Sequence, residues 1–214
     1  MINPNPNLSH QKEYLKQYIL PKDFYYQKDN NAVSKALLGK YLIQLDPFPI
    51  GGVIVETESY PGKTDVASHH HHGKITDRTK VIFNKEKGLL YVYKIYGLHH
   101  CFGITSGDGE ENHNVTLIRA IKPIFGIKEL KKRRGTDKLA NLLSGPAKIA
   151  QALNITKQNY GQCVRTSNII ICDLEDFEDF EIETDTRIGI ENYESEHEQK
   201  DWRFFVKGCE FLSQ

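Results

Sequence analysis

Two carboxylates two residues apart, Glu56 and Glu58, end the apolar run of Gly51–Tyr60 (GGVIVETESY), and Tyr60 follows at the same spacing. In an extended chain alternate side chains share a face, so Glu56, Glu58 and Tyr60 project to one side while Thr57 and Ser59 project to the other. A carboxylate at the mouth of an apolar core tends to a perturbed pKa and suits general-base work, a common way for hydrolases to activate water. The plainer alternative is a strand that surfaces here and gives its acids to solvent. Arg119 sits in the apolar stretch LIRAI, where an unpaired cation is costly to bury, so Glu56 or Glu58 is its expected partner. Such a cation helps keep a carboxylate ionised and helps hold a water. A purely structural ion pair accounts for the same residues equally well.

Tyrosines crowd Gly88–Tyr96 (GLLYVYKIY), and strand parity places Tyr91 and Tyr93 on one face, Lys94 and Tyr96 on the other. Tyr91 reads as a packing residue. Tyr96, next to the Gly97 turn, is placed where a ring can stack on or wedge against a nucleic-acid base. The run His69, His70, His71 and His72 invites a metal hypothesis, yet four adjacent histidines cannot all turn to one closed tetrahedral site. No metal is expected; a polar loop with one histidine turned toward a pocket is.

The elements that must hold these residues are legible in outline. Ser9 is predicted to cap a helix reaching about Leu20, with residues 1–7 frayed, and a second helix is predicted from Asn30 or Asn31 to Gly39. Strands are expected at Lys40–Leu45, Val53–Tyr60, Gly88–Tyr96, His99–Thr105 and Asn114–Ile121. Pro123 is expected to open a basic helix. Ser144, Gly145 and Pro146 are expected to open another, with Ser144 as its cap and Pro146 in the first turn. Further strands are expected at Val164–Cys172, Phe180–Thr184 and Arg203–Val206.

A chain of 214 residues, 39% hydrophobic and 26% charged, suffices for one substantial core, so residues 1–214 are read as a single domain. No apolar window is long enough for a membrane span and the N-terminus lacks a signal-peptide pattern, which predicts a soluble intracellular protein. Cys101, Cys163, Cys172 and Cys209 have neither zinc-ribbon nor disulfide-framework spacing. Net charge is zero, but Lys122–Lys148 holds eight basic residues against two acids and Asp173–Asp185 holds eight acids and no base. The first segment suits phosphate and the second should face away from it.

In order along the chain, VETESY, a histidine nine residues after Tyr60, YVYKIYG, CFGI, LIRAIKP, SGPAKIAQAL, RIGI and RFFVKG resemble the landmarks of the alkyladenine (3-methyladenine) DNA glycosylase family from about Asp23 to Gly208. The resemblance implies an α+β (mixed α/β) single domain with a curved antiparallel sheet, a protruding β-hairpin and flanking helices. It implies a monomeric, monofunctional enzyme that flips alkylated or deaminated purines out of double-stranded DNA and hydrolyses the N-glycosidic bond without a cofactor. By position, Glu58 matches the general base and Arg119 the residue that helps place the water. Tyr60, His69 and Tyr93 match the walls of the base pocket, and Tyr96 the plug that fills the gap in the duplex. Ser144 and Lys148 are expected to meet phosphates. Gly103 stands where the family commonly has Asn, implying room at the pocket floor and weaker exclusion of guanine-derived lesions. A non-catalytic lesion-binding protein and an O-glycoside hydrolase using Glu56 and Glu58 are the alternatives.

Overall fold

Consecutive β-branched residues such as Val53–Val55 need apolar cover on both faces of their strand, and the architecture supplies it. The computed structural model describes residues 8–29, 31–175, 177, 179–191 and 196–213, the side chain of Lys63 apart; the expectations for residues 1–7, for Asn30 and for the acids at 176 and 178 lie outside these. Helices α1 (Leu8–Lys16) and α2 (Ala32–Ala36) precede strands β1 (Tyr41–Gln44) and β2 (Ile50–Pro61). Strands β3 (Leu90–Ile95), β4 (His99–Ser106) and β5 (Asn114–Phe125) form a meander. Helices α3 (Ile127–Arg134) and α4 (Pro146–Ala152) follow, then β6 (Ile169–Cys172), β7 (Ile182–Asp185) and β8 (Arg203–Val206). All pairings of named strands are antiparallel, and the curved sheet runs β3-β4-β5-β2-β1-β6. The expected α+β class and curved antiparallel sheet are thus observed.

Strand β2 is the hub. One edge pairs with β5 along its length; the other pairs with β1 over Ile50–Val53 and with β8 over Glu56–Glu58. Ile54 and Leu42 turn to the core that holds Phe102, Ile118 and Ile149, while Val53, Val55, Tyr41 and Ile43 turn to a second core with Leu15, Ile170 and Val206. Register shifts on either side of Glu56 mark bulges: Val55 is extra on β2 and Arg119 is extra on β5. Bulges re-aim side chains, and these two bring an arginine of one strand to the acids of the other.

Several expected boundaries are corrected. Pro123 does not open a helix. It lies within β5 next to a register shift opposite Gly51 and Gly52, where a strand tolerates proline, and α3 begins after Gly126, which has φ +67°. Ser9 lies inside α1 and so is no cap. Ser144 does not cap α4: it forms a β-bridge with Ala120, and Gly145 takes the N-cap position with Pro146 after it. The strand expected from Val164 begins at Ile169. All four cysteines are free, and no described helix is long and apolar enough to cross a membrane.

Candidate active site

On β3, β4 and β5, Val92, Phe102, Ile104 and Ile118 pack into the main core. Alternation therefore turns Tyr91, Tyr93, Cys101, Val115 and Leu117 to the opposite face, where they line a pocket of about 240 Å³ together with Tyr60, His69, Arg119 and Ile188. Tyr60, His69 and Tyr93 are brought together as walls, and Arg119 reaches the same space from its bulge.

Glu58 is fully buried and lies behind this lining. Its Oε1 accepts the Ile188 N–H at 2.7 Å and Arg119 Nη1 at 3.1 Å; its Oε2 accepts the Tyr60 hydroxyl at 2.8 Å. A carboxylate has about four acceptor directions, and these donors take two on Oε1 and one on Oε2. Burial raises the Glu58 pKa above its ordinary value of 4.5, against the opposing pull of the Arg119 charge, the Ile188 N–H and the Tyr60 hydroxyl. A carboxyl raised in this way is a stronger base once ionised.

Glu56 is occupied elsewhere. Its Oε1 meets Arg119 Nε and Arg203 Nη1, each at 3.3 Å, and its Oε2 accepts the Ser213 N–H at 2.6 Å. Like Glu58 it does not line the pocket, and it is bound to two arginines where Glu58 is bound to one.

The histidine run divides its tasks. His69 stands edge-on to Tyr93 with ring centroids 4.9 Å apart, and its Nδ1 lies 2.8 Å from the Tyr91 hydroxyl. Arg78 Nη2 donates to His69 Nε2 at 2.8 Å, which requires a neutral ring. Enclosure and the Arg78 charge lower the His69 pKa to about 4, in agreement. His70 is buried against the His113 carbonyl at 2.7 Å, and His71 stacks on His72. Among the described residues no three His, Cys, Asp or Glu side chains gather as metal ligands.

A buried ion pair ties the walls together, and motif reading did not single it out. Arg187 grips Asp65 through two hydrogen bonds of 2.6 and 2.9 Å, and its guanidinium lies 4.6 Å from the Tyr60 ring centroid. Asp65 in turn accepts the Ala67 N–H and the Ser68 hydroxyl, fixing the loop that presents His69. Arg187 and Ile188 belong to the RIGI landmark, the one sequence signal that could have flagged them.

At the tip of the β3–β4 hairpin Tyr96 is 91% exposed and Leu98 78% exposed. Tyr96 and Gly97 have φ +50° and +70°, and the Leu98 N–H closes the turn on the Ile95 carbonyl at 3.1 Å, the primed turn that suits a twisted hairpin. Nothing in the fold needs the Tyr96 ring. Tyr96→Ala is expected to leave thermal stability unchanged while weakening binding to a duplex with an abasic-site analogue by the value of one stacked ring, ~1–3 kcal/mol, as read by fluorescence anisotropy.

Ser144 is nearly buried, and its Oγ accepts Lys148 Nζ at 3.3 Å, so the two are brought together beside Pro146 of the pocket lining. Gly103 is on the pocket face between Tyr91 and Leu117, but it does not line the pocket and leaves no empty space there. A Cβ at this position would collide with Val115 Cγ1 and come within 2.9 Å of the Thr116 carbonyl oxygen. The expectation of an open floor is therefore corrected: Val115 fills it, and glycine is what lets Val115 do so. Gly103→Asn is expected to lose ~1–3 kcal/mol by overpacking, with part of the loss recovered in Gly103→Asn/Val115→Ala, both measured by urea denaturation.

The sequence profile of the family described as Methylpurine-DNA glycosylase (MPG) matches residues 23–210. A protein of Clostridium botulinum (strain Alaska E43 / Type E3) named "Putative 3-methyladenine DNA glycosylase" is 38% identical over 205 residues, covering 91% of this chain and 98% of its own. Proteins of the same name from Clostridium novyi (strain NT) and Clostridium tetani (strain Massachusetts / E88) are 37% and 38% identical, each covering 88% of this chain and 96% of its own.

Proposed function

The chain belongs to the methylpurine-DNA glycosylase family, and from that membership and the pocket's geometry we propose that it excises 3-methyladenine and related alkylated or deaminated purines from double-stranded DNA, acting as a monomer and leaving an abasic site. The observation that carries this reading is the buried Glu58, hydrogen-bonded to Arg119 and Tyr60 where both reach an aromatic pocket, with Tyr96 exposed at the pocket's rim on a hairpin tip.

A base inside the duplex cannot reach this pocket, so the nucleotide swings out at an unstacking cost of a few kcal/mol, offset by the rings that receive the base and the ring that fills its place. Ring alkylation gives the purine a positive charge, which electron-rich aromatic faces attract and which makes it a ready leaving group. The C1′–N bond breaks with its electron pair going to the base, which departs neutral. The sugar becomes oxocarbenium-like, water oxygen bonds to C1′, and Glu58 takes the water proton. Arg119 holds the carboxylate, and through it the water, in place.

The direct test incubates the chain with a duplex carrying one 3-methyladenine. Release of free base, with strand breaks appearing only after alkali, is the expected result. Tight lesion binding without base release would support the non-catalytic reading instead.

A further inference from the structure

Outside the base pocket, a strongly basic groove of about 760 Å³ runs along the outer edge of β3, lined by Arg78, Lys80, Lys94, Lys157, His100 and Tyr160 among others. Four cations face one acid, Asp77, which is paired with Lys80 at 3.1 Å. The edge itself adds donors. Leu90 bonds outward to residues 161 and 162 through both its N–H and its C=O, so by alternation the backbone groups of Val92 and Lys94 point the same way. Among the described residues these find no backbone partner. The groove is also continuous with the pocket wall: Tyr93 lines both, and Arg78 lines the groove while its guanidinium bonds His69 and Tyr91.

We infer that this groove is a phosphate track, which holds the sugar-phosphate backbone of duplex DNA on the side of the hairpin away from the base pocket. The inference rests on the proposed DNA glycosylase reading and extends it. Clustered lysines, unpaired backbone N–H groups and the absence of an unpaired acid are the chemistry that recognises a phosphodiester strand. Adjacency to both the base-pocket wall and the exposed tip favours the duplex over a protein strand as occupant. Lys94 comes from β3 and Lys157 from the short turn after α4, so two separate elements supply cations to the groove. Bound there, the backbone would also lie against Arg78, whose other contacts position His69.

The test compares the native chain with Lys94→Gln/Lys157→Gln, measuring affinity for a duplex with an uncleavable abasic-site analogue across a salt series. Each phosphate contact contributes about 0.9 to the slope of log K against log salt, so the double variant is expected to be less steep by about 1.8, with weaker binding at low salt. Lys94→Arg/Lys157→Arg is expected to restore the slope, and thermal melting checks that all variants fold. Tyr96→Ala, which removes no charge, should weaken binding at the native slope. If the Gln variant keeps the native slope while Tyr96→Ala still weakens binding, the track is overturned and the glycosylase reading stands. If the native chain binds this duplex no better than undamaged DNA, both are overturned.

Discussion

Glu58→Gln is expected to slow base release from alkylated duplex DNA by about 10²–10⁴-fold, the usual span for a lost general base, with folding and duplex affinity near native. The substitution isolates chemistry because glutamine can keep the local network. Its Oε1 can still accept from the Ile188 N–H and Arg119, and its amide can donate to the Tyr60 oxygen that now donates to Glu58. What is lost is the capacity to take a proton and the negative charge facing the oxocarbenium-like sugar. Single-turnover kinetics at saturating enzyme separate this from binding. A variant that binds normally and cleaves at the native rate would dismiss the role of Glu58.

Arg119→Met carries the second large effect, and this one falls on stability. The side chain holds two fully buried carboxylates, with Nε at 3.3 Å from Glu56 and Nη1 at 3.1 Å from Glu58. Glu56 keeps Arg203 and the Ser213 N–H, whereas Glu58 keeps only the neutral donors of Ile188 and Tyr60. Removing one partner of a buried pair costs about 3–5 kcal/mol. The pH dependence identifies the source. Burial already raises the Glu58 pKa, and loss of the Arg119 charge, which opposes that rise, must raise it further. In the variant the folded state then binds more protons than the unfolded state above the ordinary glutamate range, so stability falls as pH rises through that window and recovers in acid. Urea denaturation should show the full loss near neutrality and a smaller one at about pH 5. An equal loss at both would place the effect in packing rather than charge.

How much of this was written in the sequence depends on the range of the interactions involved. Consecutive β-branched residues gave away β2, and Arg203–Val206 was read with its observed limits because aromatic and β-branched residues are bounded by a turn at Gly208. The demand of Arg119 for an acid was legible as electrostatics; that it meets both Glu56 and Glu58 depends on two bulges that no local pattern encodes. Pro123 and Ser144 depart from their local patterns for a related reason. Each looks like a helix signal locally, and each is held in extended structure by partners far along the chain, at Gly52 and Ala120. The Arg187–Asp65 pair spans a separation of 122 residues, and the Ile188 N–H that Glu58 accepts is a backbone group without side-chain identity. The floor under the pocket shows the same limit: Gly103 read alone suggested a void, and only its neighbour Val115 shows that the space is filled.

The central claim is that one buried carboxylate, working as a base, sets the rate of bond cleavage. The pH dependence of single-turnover base release by the native chain, beside that of Glu58→Gln, tests it most directly. The native rate should fall in acid through a midpoint above 4.5, the ordinary glutamate value from which burial raises Glu58, and the residual rate of the variant should lack that limb. An acid limb of the same midpoint in both proteins would assign the titration to another group and contradict the account.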